Sequence, residues 1–430
     1  MKVFLANFRW FLSTVPNAVA FAVALRFPRF AQRRVARRID AETGGEILRE
    51  MPTSGSTGAT KWVPYTAAFL REFARAIDPW VFSLYVRHPS LFFSTHYWSI
   101  SPFTETGGGG KRKISDDSEY LSRAQRKSAA QLFTVSRILA GVSNPEEHMR
   151  LTVEGLVGDR RIGLMSVWHP SSLLLILERV RVRTERSYAA LWPHLRVISC
   201  WDRAFAAADA ERLRMLFPDV VVEGKGLLAT EGVVTIPWFG RRVAAVRSHV
   251  LTLQEVSEDD VPSADKIPLV EAVPGRHYLV FITAGNGERE YPLGDVVECT
   301  GRIGSTPMLE FLHRSGGVSD LHGEKLHPGP VGEALRTLGM TCGGFSCAYL
   351  MPRVDRCGYI LKITPVAGGR VPTSEEVETV LCENYYYRHT RNLGQLDPVR
   401  VEVSPDALAE YCHERGVSPA AAKPPSIVLR

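Results

Sequence analysis

Four stretches of the chain bring together residue types that do chemistry in combination. The first is Thr53-Ser54-Gly55-Ser56-Thr57-Gly58-Ala59-Thr60-Lys61. Hydroxyl side chains and two glycines let O–H and backbone N–H groups approach phosphate oxygens closely, and a trailing lysine adds a point charge. The Gly-x4-Gly-Lys-Ser/Thr order of a Walker loop is absent, so the motif reads as a polyphosphate cradle of another kind. The second stretch is Gly224-Lys225-Gly226-Leu227-Leu228-Ala229-Thr230-Glu231-Gly232. A Thr-Glu pair after a strand and a glycine turn suits adenine-side recognition, and Glu231 is the hard oxygen donor that Mg2+ takes. In the third, Tyr291-Pro292-Leu293-Gly294-Asp295, a strand-end aspartate is placed to accept from both hydroxyls of a ribose. The fourth begins at Arg314 and runs through the soft backbone of Ser315-Gly316-Gly317 to Ser319-Asp320-Leu321-His322-Gly323-Glu324-Lys325-Leu326. Its glycines make a pivot and its lysine a mobile cation.

The elements that must position these motifs follow from periodicity. Apolar residues recur at three and four over residues 4–45, 66–87 and 117–150, which predicts helices. After residue 160, β-rich runs (162–168, 195–201, 220–223, 233–237 and 277–283) alternate with helical stretches at 171–186 and 209–216. That alternation predicts an α/β fold with mixed sheets. From about residue 315 the pattern restarts as a smaller α+β unit, with helices at 374–384 and 406–414 and strands at 345–352, 359–365 and 399–403. The expected organisation is therefore a large domain over 1–314 and a small, mobile one over 315–430. Residues 105–116, with four glycines ahead of Lys111, Arg112 and Lys113, read as a surface excursion, since no strand and helix frame them.

Composition excludes several classes. Of 430 residues, 45% are apolar and 23% charged, which is a globular balance and neither a disordered nor a collagen-like one. The net charge of +6 is concentrated: residues 1–40 carry +7, so the rest of the chain sums to −1. A nucleic-acid face spread over the fold is thereby excluded. The apolar run from Phe11 to Leu25 is too short to span a bilayer and lacks a signal-peptide cleavage pattern. It reads as one or two amphipathic helices packed on the domain with arginines on the wet face, in preference to a membrane-surface contact. The expected location is cytoplasmic. Seven cysteines do not form a disulfide framework, and Cys342, Cys347 and Cys357 lack a fourth ligand at zinc-like spacing, so they read as buried small residues.

Taken together, the motifs resemble the Gretchen Hagen (auxin-responsive promoter) family of acyl-acid amido synthetases, as a bacterial member. The matching stretches are residues 53–64, 97–102, 166–170, 191–202, 224–237, 293–297, 306–312 and 320–326, with Gly394-Gln395-Leu396, Arg415-Gly416 and Lys423-Pro424 near the C-terminus. The resemblance implies the adenylate-forming fold, ATP and Mg2+. It also implies a two-step reaction in which a carboxylic acid becomes an acyl-AMP and an amine, often an amino acid, displaces AMP. By position, Thr53, Ser54, Gly55, Ser56, Thr57, Gly58 and Lys61 would hold the phosphates. Thr230 and Glu231 would sit at the adenylate, Glu231 with the metal, Asp295 on the ribose and Arg314 at the hinge edge. Lys325 or Lys423 would be brought to the α-phosphate by the small domain. For aminolysis, His249 and His169 are the candidate bases; His169, Trp168 and Trp98 are expected to line the acyl pocket.

Two departures from the family pattern bear on specificity. Arg289, Glu290, Tyr291 and Pro292 stand where the family reads aromatic–Arg–Tyr–Arg, and Val250-Leu251 follow Ser248-His249 where aromatics are expected. The rival readings are an acyl-CoA or carrier-thiol ligase using the same first step, and a nucleotide- or acyl-binding homologue without turnover. The first of these needs a basic groove for the coenzyme, which the sequence shows only in its N-terminal arginines.

Overall fold

The structure, a computed structural model, describes residues 1–43, 45–54, 60–99, 123–139, 142, 144–257, 261–366, 368–415 and 426–429. Gly55, Ser56, Thr57, Gly58, the glycine run at 107–110 and Lys423 lie outside the described residues, as do the side chains of Thr53, Ser54 and Lys61. The strands that hold the two ends of the Ser/Thr/Gly motif, Ile47–Ser54 and Thr60–Thr66, pair with each other. Two compact units make up the chain. The first comprises Met1–Pro52 and Trp62–His313, and the second is built on Arg314–Arg430.

The first unit is organised around two sheets. Among the described residues, four parallel strands lie in the order Thr95–Trp98, Ile162–Ser166, Val197–Cys200, Val221–Gly224. Their sequences are near-continuous apolar runs because helices such as Pro170–Arg183 and Ala207–Leu216 cross between them and cover a face. Register places Trp98, Ser166, Ser199 and Glu223 side by side at the carboxyl ends of the four strands, the edge where open α/β sheets bind ligands. A second, antiparallel sheet has the order Pro262–Pro268, Val250–Val256, His277–Thr283, Tyr291–Ile303, Thr306–Arg314, Arg241–Ala244, Thr235–Trp238.

Buried ions tie the two sheets together. Arg242, on one antiparallel strand, bonds Asp202, which follows a parallel strand, and donates to Glu310 of another antiparallel strand at 2.6 Å. Its side chain is only 14% exposed. Removing it leaves Asp202 and Glu310 with only the longer pairs to Arg214 and Arg203, each at 3.4 Å, so Arg242→Met is expected to cost about 3 kcal/mol of unfolding free energy in urea melts. A loss below about 1 kcal/mol would mean that these charges are already solvated.

Helix Lys2–Ala24 continues through Pro16, where the sequence left one helix or two open. Proline removes one N–H from the ladder, and nearby hydroxyls bond back within the helix: Ser13 Oγ to the Trp10 carbonyl at 2.6 Å and Thr14 Oγ1 to that of Phe11 at 2.7 Å. Trp10, Thr14, Ala18 and Phe21 recur at three and four on its buried face. Arg26, Arg29, Arg33, Arg34 and Arg37 are exposed, on the wet face anticipated for them. Among the described residues no helix is long and apolar enough to cross a membrane.

The second unit has a small sheet in which Phe345–Pro352 pairs antiparallel with Tyr359–Pro365, and the latter pairs parallel with Arg400–Val403. Helix Ser374–Leu381 opens on a capping box in which Thr373 and Glu376 satisfy each other's backbone N–H groups. It stops three residues before the predicted end, because Asn384 caps a separate helix, Tyr385–Asn392, by accepting from the N–H groups of Tyr386 and Tyr387. Cys342 and Cys347 are buried in different apolar clusters, but Cys357 is exposed, on a bend after Asp355, and is not the buried residue expected.

Candidate active site

The second motif folds as a tight hairpin. Leu228 pairs with Val233 and Ala229 with Gly232, which leaves Thr230 and Glu231 as the two turn residues. Tyr65 donates its phenolic O–H to the Thr230 carbonyl at 2.7 Å, fixing the turn from below, and Glu231 is 6% exposed. Gly232 has φ +152°, which residues with a side chain rarely adopt. A Cβ there would lie 2.8 Å from His249 Nε2 and 2.4 Å from Ile282 Cδ1. Ile282 pairs across the sheet with Tyr291, so the fold draws the second and third motifs together although some sixty residues separate them.

Asp295 is not at a strand end, as its Gly-Asp sequence suggested. It lies inside the strand Tyr291–Ile303 and is 3% exposed. Pro292 pairs with Phe281 and Val296 with Leu279, so Leu293, Gly294 and Asp295 together stand opposite Val280. This is a bulge, and Gly294 at φ +72° provides its left-handed residue. Bulges re-aim side chains next to sites, which allows a buried aspartate to be presented from mid-strand.

The two candidate histidines have different surroundings. His249 is wholly buried: its Nδ1 is 3.0 Å from Glu72 Oε2, and its ring packs on Phe69 and Phe73. Its Nε2 faces the Gly232 hairpin. Glu72, which the sequence reading missed, anchors it and also accepts from the Gly285 N–H at 3.0 Å. His169 caps the helix Pro170–Arg183 by accepting at Nδ1 from the Ser171 N–H at 3.1 Å. That bond engages the Nδ1 lone pair, which places the proton of a neutral ring on Nε2.

Of the two tryptophans expected in the pocket, Trp98 is buried at 5% and packed among Trp10, Trp80 and Phe133. Trp168 is half-buried and covers Lys225, a residue of the second motif. The Lys225 ammonium lies 4.7 Å from the Trp168 ring centroid, 5.4 Å from Trp80 and 5.7 Å from Trp98, and donates to Ser166 Oγ at 2.6 Å. Its signal was the strand-end position alone.

In the second unit the fourth motif closes into a loop. Ser319 and Leu326 bond each other's backbones at 2.9 and 2.8 Å, and between them Glu324 accepts from the N–H groups of Leu321 and His322 at 2.6 and 2.8 Å. Lys325 is held at φ +46°, half-buried, with its ammonium 5.3 Å from the Tyr386 ring centroid. A non-glycine residue in the left-handed region stores strain that a rigid loop must hold. Burial and the neighbouring Glu324 raise the Asp320 carboxyl to about 6, while burial, Arg314 and Lys325 lower His327 to about 4.

Asp320 accordingly makes stability depend on pH. In the unfolded chain it ionises near ~3.9, so between that value and about 6 the folded protein binds the extra proton. Its contribution therefore falls as pH rises through this window. Asp320→Asn keeps the acceptor for the Gly323 N–H and removes the charge. The variant is expected to be more stable than the parent in urea at pH 7, with the gap closing toward about pH 4. A gap independent of pH would contradict this.

Residues 250–314 match the GH3 family central domain. That stretch of the chain is thus similar to the central domain of the GH3 family. It contains the Asp295 bulge and ends on Arg314. Two solved structures share the chain's fold. A GH3.15 acyl acid amido synthetase aligns with TM-score 0.54 at 15% identity, over 91% of this chain and 81% of that one. An AtGH3.15 acyl acid amido synthetase in complex with 2,4-DB aligns with TM-score 0.56 at 15% identity, over 94% and 83%. At such identity the likeness shows a shared mixed α/β fold. No curated protein matches the chain.

The departures noted in the sequence divide: Arg289 and Glu290 are exposed, whereas Leu251 is buried. Glu290 is on the surface, 3.1 Å from the Lys266 ammonium, and Arg289 is 2.8 Å from Asp40. The negative charge gained at Glu290 is thus met by a lysine of the same sheet. Val250 and Leu251 open the strand beside His249.

Proposed function

We propose that this chain is a GH3-type enzyme, an ATP-dependent acid–amine ligase that adenylates a carboxylic acid and passes the acyl group to an amine. The observation that carries the reading is the GH3 central-domain match over residues 250–314. In the first step a carboxylate oxygen attacks the α-phosphorus and pyrophosphate leaves; in the second the amine attacks the acyl carbon and AMP leaves with the bridging oxygen. The Ser/Thr/Gly motif with Lys61 would cradle the phosphates, Asp295 would accept from the ribose, and Arg314 would stand at the hinge edge. Lys325, or Lys423, would bring a cation to the α-phosphate as the small domain, residues 315–430, swings. A buried carboxylate on a fixed turn suits Mg2+, so Glu231 would hold it, and the ion would offset charge on the phosphates.

With both histidines bonded inside the fold, we take neither as the base and the amine as arriving already neutral. Aminolysis is then expected to rise about tenfold per pH unit below the pKa of the acceptor ammonium, without a plateau near a histidine pKa. A plateau near 6–7 that stays in place when the acceptor is changed would assign a histidine base. Pyrophosphate release over a panel of acids, with no acceptor, amines, amino acids or coenzyme A, tests the function itself. Acid-dependent release with an amide product is the expected result; a thioester with amines ignored, or no acid dependence, would overturn it.

A further inference from the structure

The N-terminal helix Lys2–Ala24 has a second apolar face. While Trp10, Thr14, Ala18 and Phe21 are buried against the first unit, Leu5, Phe8, Leu12, Val19 and Val23 recur at helical spacing on the outside and are 41–57% exposed. The stripe continues past the helix end into Phe27 and Phe30, 60% and 68% exposed. At its other end Phe93, 69% exposed, stacks on Phe4 with ring centroids 5.2 Å apart. A helix of 23 residues is about 35 Å long, so the stripe is far larger than a scattered surface apolar residue requires.

Cations accompany it along the sequence, Arg9 within the helix and Arg26 to Arg37 just beyond its end. Arg9, Arg26, Arg33, Arg34 and Arg37 are exposed, and Arg33, Arg34 and Arg37 make no ion pair among the described residues. Asp40 is the first acidic residue of the chain. We propose that this face docks in the plane of an anionic lipid bilayer, with the apolar stripe at the acyl boundary and the arginines among the headgroups. Two features select that occupant. An in-plane helix needs one apolar stripe accompanied by cations, which this is. A second copy of the chain would instead bring its own arginines against these, and like charges oppose such a symmetric contact. The docking is independent of the ligase reading, since the stripe includes none of the site residues.

The test is sedimentation of the full chain with phosphatidylcholine vesicles, with and without phosphatidylserine, at low and raised salt. Phosphatidylserine vesicles are expected to retain at least about tenfold more protein than phosphatidylcholine alone, with retention falling as salt rises. The Leu12→Glu/Val19→Glu variant, checked for an unchanged thermal midpoint, should lose at least about tenfold of that binding. Arg33→Gln/Arg34→Gln/Arg37→Gln should lose the lipid preference. No retention on phosphatidylserine at low salt would overturn the proposal, as would full retention of the glutamate variant. A dimer in sedimentation velocity that the glutamate variant breaks would assign the face to a second copy instead.

Discussion

Glu231→Gln is expected to lower acid-dependent pyrophosphate release by about three orders of magnitude. Glutamine keeps the volume and the turn, since the hairpin is fixed by the Leu228–Val233 and Ala229–Gly232 pairing and by Tyr65 on the Thr230 carbonyl. What it removes is the negative charge with which residue 231 would hold a hard cation. Charge stabilisation by a metal on a transferring phosphoryl group contributes several kcal/mol, and about 4 kcal/mol corresponds to roughly a thousandfold in rate. The thermal midpoint should stay within a few degrees of the parent, which separates the loss from unfolding. Release within tenfold of the parent would remove Glu231 from the nucleotide site.

Gly232→Ala is expected to destabilise the first unit by about 3 kcal/mol and to depress activity with it. The substitution puts a Cβ on a backbone at φ +152°, a conformation costing roughly 1–3 kcal/mol for a residue with a side chain. The new methyl also meets two neighbours of unequal give. Ile282 Cδ1, at 2.4 Å, is the end of a flexible chain and turns away, whereas the His249 ring is held by Glu72 and by Phe69 and Phe73. Overpacking of a fixed group adds about 1–3 kcal/mol. The midpoint in urea is the measurement, and an unchanged midpoint would show that the hairpin and His249 are not in fixed contact. Combining Gly232→Ala with His249→Ala should recover part of the loss, because the two residues compete for one space.

How much of this was written plainly in the chain follows from the range of the interactions. The strands Phe345–Pro352 and Tyr359–Pro365 stand where alternation put them, because each has one face on the small core. The apolar runs of the parallel sheet were legible for the opposite reason, that burial on both faces makes them continuous. The strand Tyr291–Ile303 was hidden, since Pro292 and Gly294-Asp295 signal a turn locally and only the pairing with His277–Thr283 turns that signal into a bulge. Helix Pro328–Thr341 carries Gly329, Pro330, Gly332 and Gly339, residues of low helix propensity that tertiary packing of Val331, Leu335 and Leu338 overrides. At the site, Thr230 and Glu231 could be read from a local motif, whereas Glu72 and Lys225 could not. Glu72 matters through His249, 177 residues away, and Lys225 through rings at positions 80, 98 and 168, so their roles exist only once the sheets are assembled.

In the ligase reading the acid passes through an acyl adenylate on its way to an amide. Labelling both carboxyl oxygens of an acid that supports turnover with heavy oxygen tests this directly, with the products weighed by mass spectrometry. One labelled oxygen should leave in AMP and the other remain in the amide, because the bond formed to phosphorus in the first step is not the bond broken in the second. Unlabelled AMP, or ADP in its place, would contradict the account.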